Sequence, residues 1–152
     1  MLAENLEFLM QVRGLSQSDL ARAAGVSRQA VSLWMKQRGP EGISARTPHL
    51  FRLADNLDLD VNDLLKPLPD FAEFETALLW DRLYPSLPVF LAACLRAEER
   101  ALARMIQVYG LLITAKLFGR RVTRDFPKIS RFIHPVRRKE CELVWKTLTD
   151  PM

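Results

Sequence analysis

Two cysteines, two histidines and six glycines among 152 residues leave little material for several kinds of chemistry. Cys94 and Cys141 are too few for a disulfide framework, and no Cys-x-x-Cys pair offers a zinc or redox site, so both are expected to be buried reduced thiols. His134 and Cys141 come nearest to a metal pair, but two ligands do not make a zinc site, and neither a metal nor a cofactor is expected. There is no Gly-x-Ser-x-Gly elbow and no phosphate-cradling glycine loop. The acids are ordinary helix-surface ones such as Glu98 and Glu99, and no serine sits near a lysine in the manner of a self-cleaving domain. An enzyme is therefore not expected. The longest run without a charged side chain, Leu83 to Leu95, has thirteen residues, against the roughly 20 that a spanning helix needs. Glu4 stands where a secretory signal would carry basic residues, so the expected location is cytoplasmic, in a prokaryote or phage. Alternating β-branched runs joined by Asn-Gly or Asp-Gly are missing throughout, which removes the usual signs of strands.

What is present is helical patterning and unevenly placed charge. Hydrophobic residues make up 49% and charged ones 26%, as in globular rather than disordered chains. The net charge is only +4, but six basic residues between Arg22 and Arg52 face Glu41 alone, and Asp55, Asp58, Asp60 and Asp63 follow unopposed. A second block, Lys116 to Lys139, sets nine Lys/Arg against Asp125. Fields of this kind act on anionic partners even when the total charge is small.

Lys66-Pro67-Leu68-Pro69-Asp70 cannot continue a helix through two prolines, which places a Pro-rich linker at 67–70 between a domain at 1–66 and another at 71–152. In the first, Leu2, Leu6 and Leu9 give a helical period that stops at Gly14. Ser16 is an N-cap with Asp19 three residues on, and Gly25 ends that second helix. Ser27 caps a third helix running to about Lys36, before Gly39-Pro40 and Gly42. Thr47-Pro48 starts a fourth that buries Leu50, Leu53, Ala54 and Leu57, and a short fifth, Val61 to Leu65, is capped near Asp60.

The second domain reads as helical too. A helix is expected over Phe71 to Tyr84, with Trp80 and Leu83 widening its apolar face, closed by Pro85 and Pro88. A long central helix from about Pro88 to Phe118, bent at Gly110, follows. Gly119 ends it, a basic connector comes next, and Pro135 opens a last helix with Val136, Leu143, Val144 and Leu148 inward. Trp80, Trp145, Phe118 and Phe126 are expected to pack rather than to form a cofactor box.

The segment Gln17 to Lys36 carries interlocking constraints. Two short helices joined by a three- or four-residue turn must cross steeply and share a tiny core. Leu20, Ala24, Val26, Val31 and Trp34 supply that core, Ala21 is small where the helices come closest, and Gly25 sits where the turn needs a left-handed backbone. Arg28, Gln29, Ser32, Leu33 and Lys36 are then left pointing away from the core, a composition suited to base edges and phosphates.

Over about residues 2–66 this pattern resembles the Cro/XRE-type helix-turn-helix family of phage repressors and bacterial regulators. The resemblance rests on Leu15-Ser16-Gln17, Ala21, Gly25, the Val31/Trp34 pair, Leu50 to Leu57 and Val61 to Leu65. One departure is the longer, more basic loop Lys36 to Ser44, where the family usually has a short Glu-x-Gly turn. The helical patterning of both halves predicts an all-α chain with a C-terminal helical domain, and the resemblance implies a five-helix DNA-binding domain at its N-terminal side. It also implies that the helix near Ser27 to Leu33 enters the major groove of double-stranded DNA. Ser27, Arg28, Gln29, Ser32 and Leu33 would then contact bases: Arg28 pairs with guanine, Gln29 with adenine, and Leu33 meets a thymine methyl. Gln17, Lys36, Arg38 and Arg46 would contact phosphates.

Residues 71–152 match no motif. Operators with two half-sites demand a two-fold dimer, so the leading expectation is a homodimeric transcriptional regulator, a repressor, paired through the wide face of 101–117 and the aromatic residues of 71–84. The alternative is an antitoxin-like or accessory protein whose C-terminal domain binds a protein partner. The block Lys116–Lys139 is a solvated face, a site for an acidic partner, or an extra DNA contact.

Overall fold

The computed structural model describes residues 1–37 and 45–150. Among them are twelve α-helices, one 3₁₀ turn and no strand. No helix among them is long and apolar enough to cross a membrane. The chain divides into two compact units, Met1–Asp70 and Phe71–Met152, each with its own apolar core.

The first unit holds α1 (Leu2–Arg13), α2 (Gln17–Ala24), α3 (Arg28–Lys36), α4 (Thr47–Leu57) and α5 (Val61–Leu65). Its core is built from Leu6, Leu20, Ala24, Val31, Trp34, Leu50, Leu53 and Leu64. Helices α1, α2 and α4 close alike. Beyond each end a residue takes a left-handed backbone, Gly14, Gly25 or Asp58 with φ 65, 66 and 53°. The next amide, of Leu15, Val26 or Leu59, donates back to Met10, Ala21 or Ala54 at 2.9–3.0 Å.

Asn5 is buried and ties the first helix to the last. Its Nδ2 donates to the carbonyls of Leu64 at 2.8 Å and Lys66 at 2.7 Å, with Asp63 at 3.2 Å, where α5 has run out of amides of its own. Its Oδ1 has no partner, so the amide is oriented entirely by the acceptors it serves. Asn5→Ala is expected to destabilise the unit by about 1–3 kcal/mol, because these carbonyls would be left without a donor in a partly buried place. Chemical denaturation followed by Trp34 fluorescence measures this, and an unchanged midpoint would contradict it.

The second unit departs from the expected layout in three ways. The Phe71–Tyr84 helix is shorter, α6 (Ala72–Leu78), and Arg82 beyond it has φ 57°. The long central helix is three helices: α7 (Leu87–Leu95), α8 (Glu99–Tyr109) and α9 (Leu111–Phe118). The first break lies at Ala97, φ 61°, where the Glu98 amide donates to Ala93 and the Ala97 amide to Cys94, both at 3.0 Å. The second is Gly110, with φ 87° and ψ 164°, a conformation open essentially to glycine, so the chain turns sharply there instead of bending. Finally, the basic connector is ordered as α10 (Arg121–Arg124), α11 (Phe126–Ile129) and a 3₁₀ turn at Ser130–Phe132, pinned by buried Val122, Phe126 and Ile129.

Helix α12 (Pro135–Thr149) buries Cys141 and packs Val144 and Trp145, whose Nε1 donates to the Thr123 carbonyl at 2.7 Å. Val136, Leu143 and Leu148 are exposed, not inward. Val136 and Leu143 lie two turns apart on the side away from Cys141, and Leu148 is the last residue but one of the helix. Trp80 is likewise 75% exposed, whereas Phe126 is buried and Phe118 and Trp145 pack against the core. Burial pushes the Cys94 thiol up to about 12, and Cys141 is raised for the same reason; the two are not bonded to each other.

Candidate nucleic-acid interface

Helix α2 starts from a reciprocal cap. The Asp19 amide donates to Ser16 Oγ at 3.2 Å and the Ser16 amide to Asp19 Oδ2 at 2.8 Å. The Ser16 hydroxyl and amide hold the Asp19 carboxyl below its ordinary range, with Arg22 adding to the effect from 3.3 Å. Gln17 is the first residue of this helix and is half-buried.

The turn into α3 is held from outside by α4. His49 Nδ1 lies 3.3 Å from the Ala24 carbonyl and Asn56 Nδ2 donates to the Ala23 carbonyl at 2.8 Å. Between them the Arg52 guanidinium covers the turn so closely that a Cβ at residue 25 would come within 2.6 Å of it. Gly25 is thus required twice, by its φ of +66° and by its lack of a side chain. Arg52 also brings positive charge to the C-terminal end of α2, where the helix dipole favours it. The spacing of residues 49, 52 and 56 along one stripe of α4 is the only sign of this arrangement that the sequence carries.

Helix α3 has two unlike faces. Val31 and Trp34, 0% and 4% exposed, anchor it in the core. Arg28, Gln29, Leu33 and Lys36 are exposed and Ser32 half-exposed; Leu33 is 58% exposed although it is apolar. Ser27 caps the helix, its Oγ accepting from the Ala30 amide at 3.2 Å, which leaves the hydroxyl proton free to donate elsewhere. Ser27, Arg28, Gln29, Ser32 and Leu33 therefore stand on one short helix and its cap. Arg46, the N-cap position of α4, is exposed, while Arg38 lies outside the described residues, as does most of the basic loop 36–44. Among the described residues no carboxylate pairs with Arg28, Lys36 or Arg46, whereas Arg22 is neutralised by Asp19. Among the described residues Arg28, Lys36 and Arg46 thus carry positive charge with no paired carboxylate, a local field that favours an anion.

Compared with models of known families, residues 5–70 match a Cro/C1-type HTH DNA-binding domain, and nothing is recognised in the C-terminal half. Neither curated proteins nor solved structures gave a match to the chain. The matched domain supports a DNA-binding regulator.

Proposed function

We propose that the chain, carrying a Cro/C1-type HTH DNA-binding domain, is a non-enzymatic, sequence-specific repressor that binds two operator half-sites as a homodimer. In this reading residues 1–66 are the reading head, 67–70 the linker and 71–152 the part that pairs two chains. The observation that carries it is the division of α3 into an anchored face and a free one of Arg28, Gln29, Ser32 and Leu33. Inserted in the major groove, Arg28 offers two parallel donors to guanine O6 and N7, and Gln29 a donor and an acceptor to adenine. Leu33 meets a thymine methyl, and Ser27 and Ser32 donate to base or phosphate. Gln17, Lys36, Arg38 and Arg46 contact phosphates and set the register.

Pairing of two chains is supported by the second unit, where Phe71, Phe74, Leu78, Met105, Ile113 and Leu117 line an apolar groove of about 230 Å³. The exposed Leu112 and Leu143 add apolar surface. The same surface also suits a protein partner of the antitoxin-like kind. Purification of the full chain separates the two: a two-fold assembly of this chain alone supports the dimer, and a stoichiometric foreign protein overturns it.

Selection of bound duplexes from a random pool tests the reading as a whole. The expected result is an enriched site of two inverted half-sites about one helical turn apart, or a multiple of it. Enrichment of nothing would remove the DNA-binding role. Arg28→Ala is expected to cost about 1–3 kcal/mol against the preferred base at one position of each half-site and little elsewhere. A uniform loss over all sequences would instead make Arg28 a phosphate contact.

A further inference from the structure

The second unit holds a groove that repressor activity does not use. Its floor is α8, where Arg100, Arg104 and Gln107 follow at successive turns, and its volume is about 630 Å³, the size of a small-molecule site. Trp80, from the chain after α6, and Phe132, from the 3₁₀ turn, line it as well, 75% and 40% exposed. Trp80 above all leaves most of its ring uncovered in the fold, so packing alone gives little reason for so large an aromatic side chain there.

The polar groups divide into those already satisfied and those left over. Arg104 forms a two-point ion pair with Asp81, donates to the Leu78 carbonyl at 2.9 Å and lies 5.7 Å from the Trp80 ring, which fixes that wall. The Asp81 carboxyl is accordingly held down at about 2, first by its hydrogen bond to Arg104. Nearby Glu98 and Glu99 are paired with Arg96 and Arg131 at 2.7 and 2.5 Å. Arg100 has no acidic partner among the described residues, and its guanidinium stands 5.3 Å from the Phe132 ring. Gln107 spends its carbonyl on the His134 amide at 2.9 Å, which leaves its NH2 as donor. His134 Nδ1 accepts from the Val136 amide, so in the neutral ring Nε2 carries the hydrogen. What remains uncommitted is one full positive charge and two further donors, set between two aromatic rings.

We propose that this groove is a binding site for a small planar aromatic carboxylate. The carboxylate would sit on Arg100 with Gln107 and His134 as additional donors, and the ring would lie against Trp80 or Phe132. A neutral ligand leaves the Arg100 charge unanswered, and a compact inorganic anion makes no use of the exposed part of the Trp80 ring.

The test uses the full chain and naphthalene-2-carboxylate as probe, by calorimetry and by the indole N–H signals of the three tryptophans. The expected result is saturable binding that shifts the Trp80 indole signal, while those of buried Trp34 and of Trp145, already bonded to Thr123, stay in place. Naphthalene-2-carboxamide and acetate should each bind at least tenfold more weakly. Arg100→Gln, at an exposed position, should lower affinity for the carboxylate tenfold or more with an unchanged melting temperature. No saturable binding at millimolar probe, binding that leaves Trp80 unmoved, or affinity indifferent to Arg100→Gln would each overturn the proposal. None of these outcomes depends on whether the first unit binds DNA.

Discussion

Trp34→Ala is expected to lower the melting temperature of the first unit by more than about 10 °C. Trp34 is 4% exposed and shares its core with Leu6, Leu20, Val31, Leu50 and Leu53, so truncation opens a cavity at the crossing of the helices. Emptying a buried large aromatic site costs about 3–5 kcal/mol. A unit of some 70 residues has only about 4–10 kcal/mol in total, and each kcal/mol moves the melting point of so small a domain by roughly 4–8 °C. Trp34→Phe keeps most of the volume and should lose less than half as much. Far-UV circular dichroism during heating measures both. An alanine variant that melts with the parent would show that the turn is held by α4 rather than by the shared core.

Salt is expected to have the largest effect on DNA binding. Lys36, Arg38 and Arg46 are the cations assigned to phosphates, three per head. If each neutralises one phosphate, two heads on one operator release about six counterions, and the logarithm of affinity falls with that of salt at a slope near −5. Raising salt from 50 to 200 mM then weakens binding about a thousandfold, against about fortyfold for a single head. Fluorescence anisotropy on the selected operator gives the slope directly. A value near −3 would remove the two-headed reading while leaving the domain a DNA binder, and a flat response would remove both.

Much of the first unit is legible because its signals are local. Ser16, Ser27 and Asp60 cap helices with their own side chains, and Gly14 and Gly25 announce left-handed turns. The face of α3 follows once Val31 and Trp34 are assigned inward. The second unit shows the limit of such signals. The turn at Ala97 carries the same back-bonded amide as that at Gly25, Glu98 to Ala93 in place of Val26 to Ala21, but with no glycine to mark it. A left-handed alanine costs about 1–2 kcal/mol, which packing of buried Cys94, Ala101 and Leu102 on either side must outweigh. That is tertiary information, absent from the local sequence Arg96-Ala97-Glu98. In α12 the misleading element is a second apolar stripe, Val136 and Leu143, of the same period as the true inner one. The hold of α4 on the turn is hidden because His49 and Asn56 reach carbonyls, and Arg52 covers a glycine, more than twenty residues away.

The two faces of α3 also bear on how such a protein changes over generations. Arg28, Gln29 and Leu33 are exposed and Ser32 half-exposed, whereas Val31 and Trp34 hold the helix in place. Exchanges at exposed positions away from caps and cores ordinarily shift stability by no more than about 0.5 kcal/mol. If these positions read the operator as proposed, a lineage can drift to a new one through single steps that never pass through an unfolded intermediate, and an engineer can shuffle those positions in a library with most members still folded. The inward pair and Gly25 have no such latitude, so divergence among descendants should collect on one side of a helix only nine residues long.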